Sequence, residues 1–351
     1  MSGQKRLFLL DAYALIFRGY YAFIKNPRIN SKGMDVSAIM GFTNSLFEVL
    51  RKEKPEYLAV CFDKGGSEAR SEVFPEYKAN RQETPEAIKI AVPYIQQILQ
   101  ALDIPVIEKA GFEADDLIGT LAKKAEKEGF TTYMVTPDKD FAQLVSENIF
   151  MYRPARMGNG IEIWGIPEVQ AKFEVERPEQ VIDFLGMMGD AVDNIPGLPG
   201  VGEKTAKKFL KEYGSMENLL ANTADLKGKM KEKVEANVEL GLLSKQLATI
   251  LLDCPVDFVA DEFIVSKPNA QEVTTLFQEL EFRRLQTTFE NIYGLSQSEP
   301  AQPKTASEGT PEKASAKKSP SNDGQFSLFG ANIYSEEEKE VETGYKTNEN
   351  T

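Results

Sequence analysis

Short apolar runs alternate with segments of helical spacing through the first half of the chain. Leu7-Phe8-Leu9-Leu10 stops at Asp11, and a helical pattern rich in aromatics follows, with Phe17, Tyr20, Tyr21 and Phe23. Residues 38–50 repeat their apolar positions at helical spacing, whereas residues 57–62 form a continuous apolar run that stops at Asp63. Residues 86–102 read as helix, 104–107 as strand, and an amphipathic helix follows residue 113. Residues 131–135 form a further strand, ended by Thr136-Pro137-Asp138-Lys139-Asp140, and residues 149–152 continue the alternation. Near-continuous apolar strands separated by helices predict an α/β fold, a mainly parallel sheet covered on both faces. Ligands of such sheets bind beyond the carboxyl ends of the strands. Asp11, Asp63, Asp138 and Asp140 all fall there. A single aspartate in this position reads as a helix cap or turn former. Three strands in a row ending this way point to a site.

Residues 111–116, Gly-Phe-Glu-Ala-Asp-Asp, place Glu113, Asp115 and Asp116 at the start of a helix whose apolar face begins at Leu117. Acids near a helix N-terminus gain about 0.3–1 kcal/mol each, which would account for them singly. Brought together with the strand-end aspartates they would repel one another, since neighbouring carboxylates resist joint ionisation unless cations neutralise them. The pattern therefore predicts a divalent-metal site. The chain contains no histidine, which excludes imidazole triads and histidine-dependent zinc sites. Cys61 and Cys254 lack metal-ligand spacing and read as buried free thiols. Oxygen ligands alone favour Mg²⁺ or Mn²⁺.

From about residue 180 the pattern becomes helical with few strands. Gly197, Gly200 and Gly202 form a tight turn leading into a helix with Lys204 and Thr205, leaving backbone N–H groups to hold a phosphate. It is not a Walker A loop, because Glu203 separates Gly202 from Lys204. Asp190 and Asp193 stand three apart, as on one helical face. Beyond about residue 295 the composition turns to Ser, Pro, Lys, Glu and Ala and cannot bury enough surface to fold. Within that stretch Gln325-Phe326-Ser327-Leu328-Phe329 is an apolar island of the kind used as a docking peptide. No apolar run reaches the roughly 20 residues of a membrane span, and residues 1–6 lead straight into a strand, so a cytoplasmic protein with no membrane partner is expected. The net charge of −13 argues against a polyanionic partner at first sight. Residues 291–351 hold 10 acids and 6 lysines, however, leaving −9 on residues 1–290, the charge of the nine candidate metal-site carboxylates. The remaining surface is neutral by count, and any basic footprint is local.

The ordered set Leu-Leu-Asp11, Cys-Phe-Asp63, Arg70…Tyr77-Lys78-Ala79-Asn80-Arg81, Glu113-Ala-Asp115-Asp116, Asp138-Lys-Asp140 and Gly189-Asp190-Ala-Val-Asp193-Asn-Ile-Pro-Gly resembles the flap endonuclease superfamily, and within it the 5′ nuclease domain of bacterial DNA polymerase I. The resemblance runs through residues 1–290. It departs at Tyr13-Ala14, where relatives often carry a histidine. It implies a PIN-like core over 1–180 with an arch or gateway near 70–90, a helix-three-turn-helix (helix-hairpin-helix) region over 181–290 that grips duplex DNA, and a disordered tail over 291–351. By matching positions, Asp11, Asp63, Glu113 and Asp115 would hold one metal ion. Asp138, Asp140 and Asp193 would hold a second, with Asp115 between the two and Asp116 and Asp190 acting through water. Lys78, Arg81, Arg70 and Tyr77 would stand over the metals and meet the scissile phosphate. Phe17 would stack on a terminal base, and the 197–205 turn would bind the duplex backbone, with K⁺ as an accompanying ion.

The implied activity is a 5′-3′ exonuclease and flap endonuclease using two Mg²⁺ ions, or Mn²⁺, on DNA with a 5′ flap or nick and on RNA–DNA primers, in bacterial replication and repair at the nucleoid. Residues 325–329 resemble a sliding-clamp-binding pentapeptide, and a polymerase domain would follow if the chain is a fragment. The alternatives are a catalytically inactive junction-binding module of the same fold and an aspartyl phosphatase. Unneutralised carboxylates that repel phosphate argue against the first. Tyr13, where the second acid should stand, argues against the other.

Overall fold

The computed structural model describes residues 5–154 and 160–295. Six strands form one sheet: β1 (Arg6–Asp11), β2 (Tyr57–Lys64), β3 (Val106–Ala110), β4 (Thr131–Val135), β5 (Ile149–Pro154) and β6 (Ile161–Trp164). Their order is β3-β2-β1-β4-β5-β6, with the first five parallel and β6 antiparallel to β5. Strand order reverses between β1 and β4, which opens a crevice at their carboxyl ends. The parallel sheet was expected; β6 was not, because its half-exposed four residues carry too little apolar pattern to register. β3 starts two residues later than its apolar run, since Pro105 has no N–H for the ladder and offers only its carbonyl, to Val60 N at 3.0 Å.

The two faces of β1 are read off its alternation. Leu7 and Leu9 point to helix α5 (Ala114–Lys127), while Phe8 and Leu10 point to α1 (Ala12–Phe23), α2 (Ser37–Glu53) and, beyond α3 (Glu68–Val73), α4 (Glu86–Ala101). α1 and α2 cross at Gly19 and Gly41 so closely that a Cβ on Gly41 would lie 2.3 Å from Gly19 Cα. That approach seats α1 directly behind the carboxyl end of β1.

After β6 the chain is helical: α6 (Ile166–Phe173), α7 (Gln180–Met188), α8 (Glu203–Tyr213), α9 (Met216–Ala221), α10 (Gly228–Ala236) and α11 (Val238–Ala248). Their apolar faces share one core with α5. α12 (Ala270–Glu279) and α13 (Arg283–Tyr293) pack instead on α2, where Phe47 meets Phe277 and Phe289. Cys61 and Cys254 are buried and free. Among the described residues no helix is long and apolar enough to cross a membrane.

Candidate active site

A cleft of about 720 Å³ lies at the carboxyl ends of the strands and is lined by Asp11, Asp63, Glu113, Asp115 and Asp138. They arrive from four places, the ends of β1 and β2, the start of α5, which brings both Glu113 and Asp115, and the turn after β4, and most are aimed by a backbone N–H. Asp11 closes β1 and caps α1, accepting from Ala14 N at 3.2 Å, while Thr136 Oγ1 donates to its other oxygen at 3.0 Å. Asp63 accepts from Ala114 N at 3.1 Å, so a side chain of β2 satisfies the start of α5. Asp138 accepts from Asp140 N at 3.0 Å. The cap reading holds for Asp11 and Asp138, whereas Asp63 caps no helix of its own and meets the start of α5 across the sheet.

The electrostatics are those of crowded acids. Burial, then Asp63 and Asp138, push Asp11 up to about 7. Asp63 is raised by burial and Glu113, and Asp115 by burial and its neighbours Asp116 and Glu113. Asp140 is raised by burial and by Asp138, Asp190 and Asp193. Its Oδ1 is buried with no hydrogen-bond partner. A buried acceptor without a donor is the counterpart of a bound cation, and so many carboxylates share one space only against positive charge. The donor set fits divalent ions with oxygen preference.

Glu113, Asp115 and Asp116 each bring one carboxylate oxygen within 4.8 Å of the others. Asp116 nevertheless faces inward. It is fully buried and accepts from Arg70 Nη1 and Nη2, Leu251 N and Glu113 N at 2.7–3.2 Å. Its oxygens are therefore committed to the protein interior.

Positive groups come from residues 70–81, within the segment expected as an arch or gateway near 70–90. Only α3 is helical there; residues 74–85 are not, with Pro75 and Pro85 interrupting. Lys78 sits at φ 59° and its N–H donates to Asp193 O at 2.9 Å, while Asn194 Nδ2 donates to Glu76 O at 2.7 Å. The segment is thus tied across the cleft to the 190–195 turn. Lys78 Nζ lies 2.6 Å from Glu113, Tyr77 OH donates to Glu113 at 3.1 Å, and Arg81 Nη2 lies 2.6 Å from Asp193. Burial opposes the Lys78 charge, but Glu113 and Asp193 outweigh it and raise Lys78. Arg70 departs from its expected place over the phosphate. It is 5 % exposed and its guanidinium is directed to Asp116, Glu113 and the carbonyls of Leu247 and Thr249. It does not line the cleft.

Asp190 and Asp193 do not share a helical face, since α7 ends at Met188. They sit on a tight turn closed by reciprocal bonds between Asp190 and Ile195 at 2.9 and 2.7 Å. Asp190 Oδ1 accepts from Val192 N and Asp193 N, and both aspartates act on Asp140 to raise it. Gly197 and Gly200 have φ of 68° and 86°, Gly202 caps α8, and Lys204 is exposed beside it with Thr205 partly covered. Phe17 lines the cleft with Tyr13 and Tyr21, its ring 6.4 and 6.2 Å from theirs. Gln325, Leu328 and Phe329 lie outside the described residues.

Two further residues at the site were not singled out from the sequence. Thr136 joins Asp11 to Asp138 by donating to the first and accepting from the second's N–H at 3.2 Å. Arg153, at the end of β5, lines the cleft, donates to Pro137 O at 2.9 Å and lies 3.8 Å over the Trp164 ring. Thr136 stood in the strand-end motif already quoted; Arg153 had no signal, because its stacking partner belongs to the unexpected β6.

A mainly parallel sheet with acids at its carboxyl ends and a helical region beside them is the PIN-like flap-nuclease fold. Residues 6–174 match the family model of the 5′-3′ exonuclease N-terminal resolvase-like domain, and residues 176–271 that of the 5′-3′ exonuclease C-terminal SAM fold. The 5′-3′ exonuclease of Aquifex aeolicus is 35% identical over 290 residues, which cover 83% of this chain and 97% of that protein. The DNA polymerase I of Bacillus caldotenax is 39% identical over 282 residues, 80% of this chain but 32% of the polymerase, so the chain spans about a third of that relative's length. A solved structure of bacteriophage T5 flap endonuclease with DNA and metal ions superposes with a TM-score of 0.58 at 19% identity, covering 83% of this chain and 99% of that one. The chain belongs to the 5′-3′ exonuclease family.

Proposed function

We propose that the chain hydrolyses phosphodiester bonds of DNA at 5′ flaps and nicks, and of RNA–DNA primers, with two divalent ions held by the cleft carboxylates. The observation that carries this is the convergence of Asp11, Asp63, Glu113, Asp115 and Asp138 on one cleft beneath Lys78 and Arg81. Asp11, Asp63, Glu113 and Asp115 would hold the first ion; Asp138, Asp140 and Asp193 the second, with Asp115 between them and Asp190 acting through water. Mg²⁺, or Mn²⁺ in its place, supplies there an activated water and charge stabilisation of the leaving oxygen. Lys78 and Arg81 bind the scissile phosphate and offset its developing charge. Tyr77 orients Glu113 through its hydroxyl. Phe17 stacks on an unpaired base at the cleft wall. The Gly197–Gly200–Gly202 turn with Lys204 and Thr205 reads the duplex through its phosphates, with K⁺ as a companion ion.

Residues 1–180 form the nuclease core in this reading and 181–290 the duplex arm. Gln325, Leu328 and Phe329 would dock on a sliding clamp, and the enzyme would work at the bacterial nucleoid. A 5′-labelled flap with Mg²⁺ tests the central reading. Wild type cuts the flap, whereas Asp115→Asn and Asp140→Asn bind it and leave it whole. A wild type that binds the flap uncut would make the chain an inactive junction-binding module; equal cutting by both variants would overturn the ligand assignment.

A further inference from the structure

Arg70 is the most enclosed cation of the site, and it does not touch the cleft. Its five N–H donors are all directed. Nε donates to Leu247 O at 3.1 Å, Nη1 to Glu113 at 3.2 Å and Asp116 at 2.9 Å, and Nη2 to Asp116 at 2.7 Å and Thr249 O at 2.9 Å. Leu247 lies in the last turn of α11, whose terminal carbonyls have no partner within the helix. One guanidinium therefore ties three pieces together: its own α3, the start of α5 with Glu113 and Asp116, and residues 247–249 at the end of the helical region. Leu251 N completes the tie by donating to Asp116 at 2.8 Å.

Glu113 is 3 % exposed and its carboxylate has one oxygen facing Arg70 and Tyr77 and the other facing Lys78. Without Arg70 the first oxygen keeps only the Tyr77 hydroxyl, and Asp116 behind it becomes a buried charge without its cation. Helix α5 would then adjust where Glu113 and Asp115 leave it for the cleft. A fork of fixed planar geometry suits this task and an ammonium does not.

We infer that Arg70 is a positioning residue that fixes Glu113 and the start of α5 against residues 247–251, and thereby sets how tightly the cleft holds its divalent ions. This rests on the proposed metal reading and adds to it a residue that meets neither ion nor phosphate. Groups behind metal ligands tune affinity by about 10–100-fold when removed.

The test is titration of the full-length chain with Mn²⁺ by calorimetry, in wild type, Arg70→Lys and Arg70→Gln, at a temperature where circular dichroism shows each folded. Both variants should bind Mn²⁺ about 10–100-fold more weakly, Arg70→Gln the more so. Flap-cleavage rates at low Mn²⁺ should fall in proportion and recover towards wild type at saturating Mn²⁺, with flap affinity in metal-free buffer unchanged. Folded variants with wild-type Mn²⁺ affinity would overturn the proposal, as would failure of both variants to fold, which would make Arg70 a requirement of the fold rather than a tuner of the site. A wild type that takes up no Mn²⁺ would instead remove the metal reading itself.

Discussion

Lys78 Nζ and Glu113 Oε1 lie 2.6 Å apart, and the same ammonium is 3.8 Å from Asp193 Oδ2. One cation thus spans the carboxylates of α5 and those of the 190–195 turn. It is held there by its own backbone, since Lys78 adopts a left-handed φ and donates its N–H to Asp193 O. A charge fixed in advance over the cleft acts on a transition state more than on a bound ground state. Lys78→Ala should therefore lower the single-turnover rate on a flap by about 10²–10³-fold and change flap affinity far less. Equal losses in rate and affinity would make Lys78 a simple phosphate contact.

Asp115 illustrates the cost of assembling such a site. Burial and the adjacent Asp116 and Glu113 hold its protonation well above the ordinary range, against the pull of Arg70 and Lys78. Its Oδ1 accepts from Asp116 N at 2.7 Å, a bond an asparagine oxygen can keep. In EDTA, Asp115→Asn should raise the thermal midpoint by a few degrees, about 2–4 °C for each kcal/mol of relieved repulsion. In excess Mg²⁺ the order should reverse, because the wild type gains ligand stabilisation that the variant lacks. A variant less stable than wild type in EDTA would count against repulsion as the cause.

Most of this site was legible because its residues stand at punctuation points. Asp11, Asp63 and Asp138 end apolar runs, and the period of those runs fixes which end of the sheet they reach. Asp190 and Asp193 were recognised as a pair but assigned to a helix, since a three-residue spacing does not distinguish a helical face from an Asx turn. Arg70 was misplaced for a related reason. Its residue type and segment matched Lys78 and Arg81, while its burial depends on carbonyls 177 and 179 positions away, which no local pattern encodes. The Gly19–Gly41 crossing and β6 were missed likewise, one resting on a distant backbone and the other on four weakly patterned residues.

The glycine turn allows a paired comparison. Gly197 has φ 68°, and a Cβ there would lie 2.7 Å from Gly189 N and from Met188 C. Gly202 has φ −100° and open space around its Cβ position. Gly197→Ala should destabilise by about 1–3 kcal/mol from backbone strain alone, with the clash adding to it, and should weaken duplex binding as the turn shifts. Gly202→Ala meets no clash and loses only the glycine cap of α8, which should cost no more than about 1 kcal/mol. Urea unfolding and binding to an unflapped duplex measure both. If the two variants behave alike, the turn is not held by the geometry described.

The pH dependence follows from Asp11. Its carboxyl is pushed up to about 7 in the folded chain by burial and by Asp63 and Asp138, against an ordinary value near 3.8. Between those limits the folded state holds a proton that the unfolded state has released, so stability in metal-free buffer falls as pH rises from about 4 to about 7. This is opposite in sign to an ion-paired aspartate, whose contribution grows over the same window. A divalent ion must displace the proton, so its apparent affinity should tighten by roughly tenfold per pH unit below about 7 and level off above it. Asp11→Asn carries no such proton and should flatten the Asp11 part of both profiles. Thermal midpoints in EDTA across pH 5–8, with Mn²⁺ titrations at the same points, provide the check. A wild-type midpoint that rises steadily through this window would show that Asp11 is ionised and paired in the folded protein, and the crowding of carboxylates at the end of β1 would then need a different counter-charge.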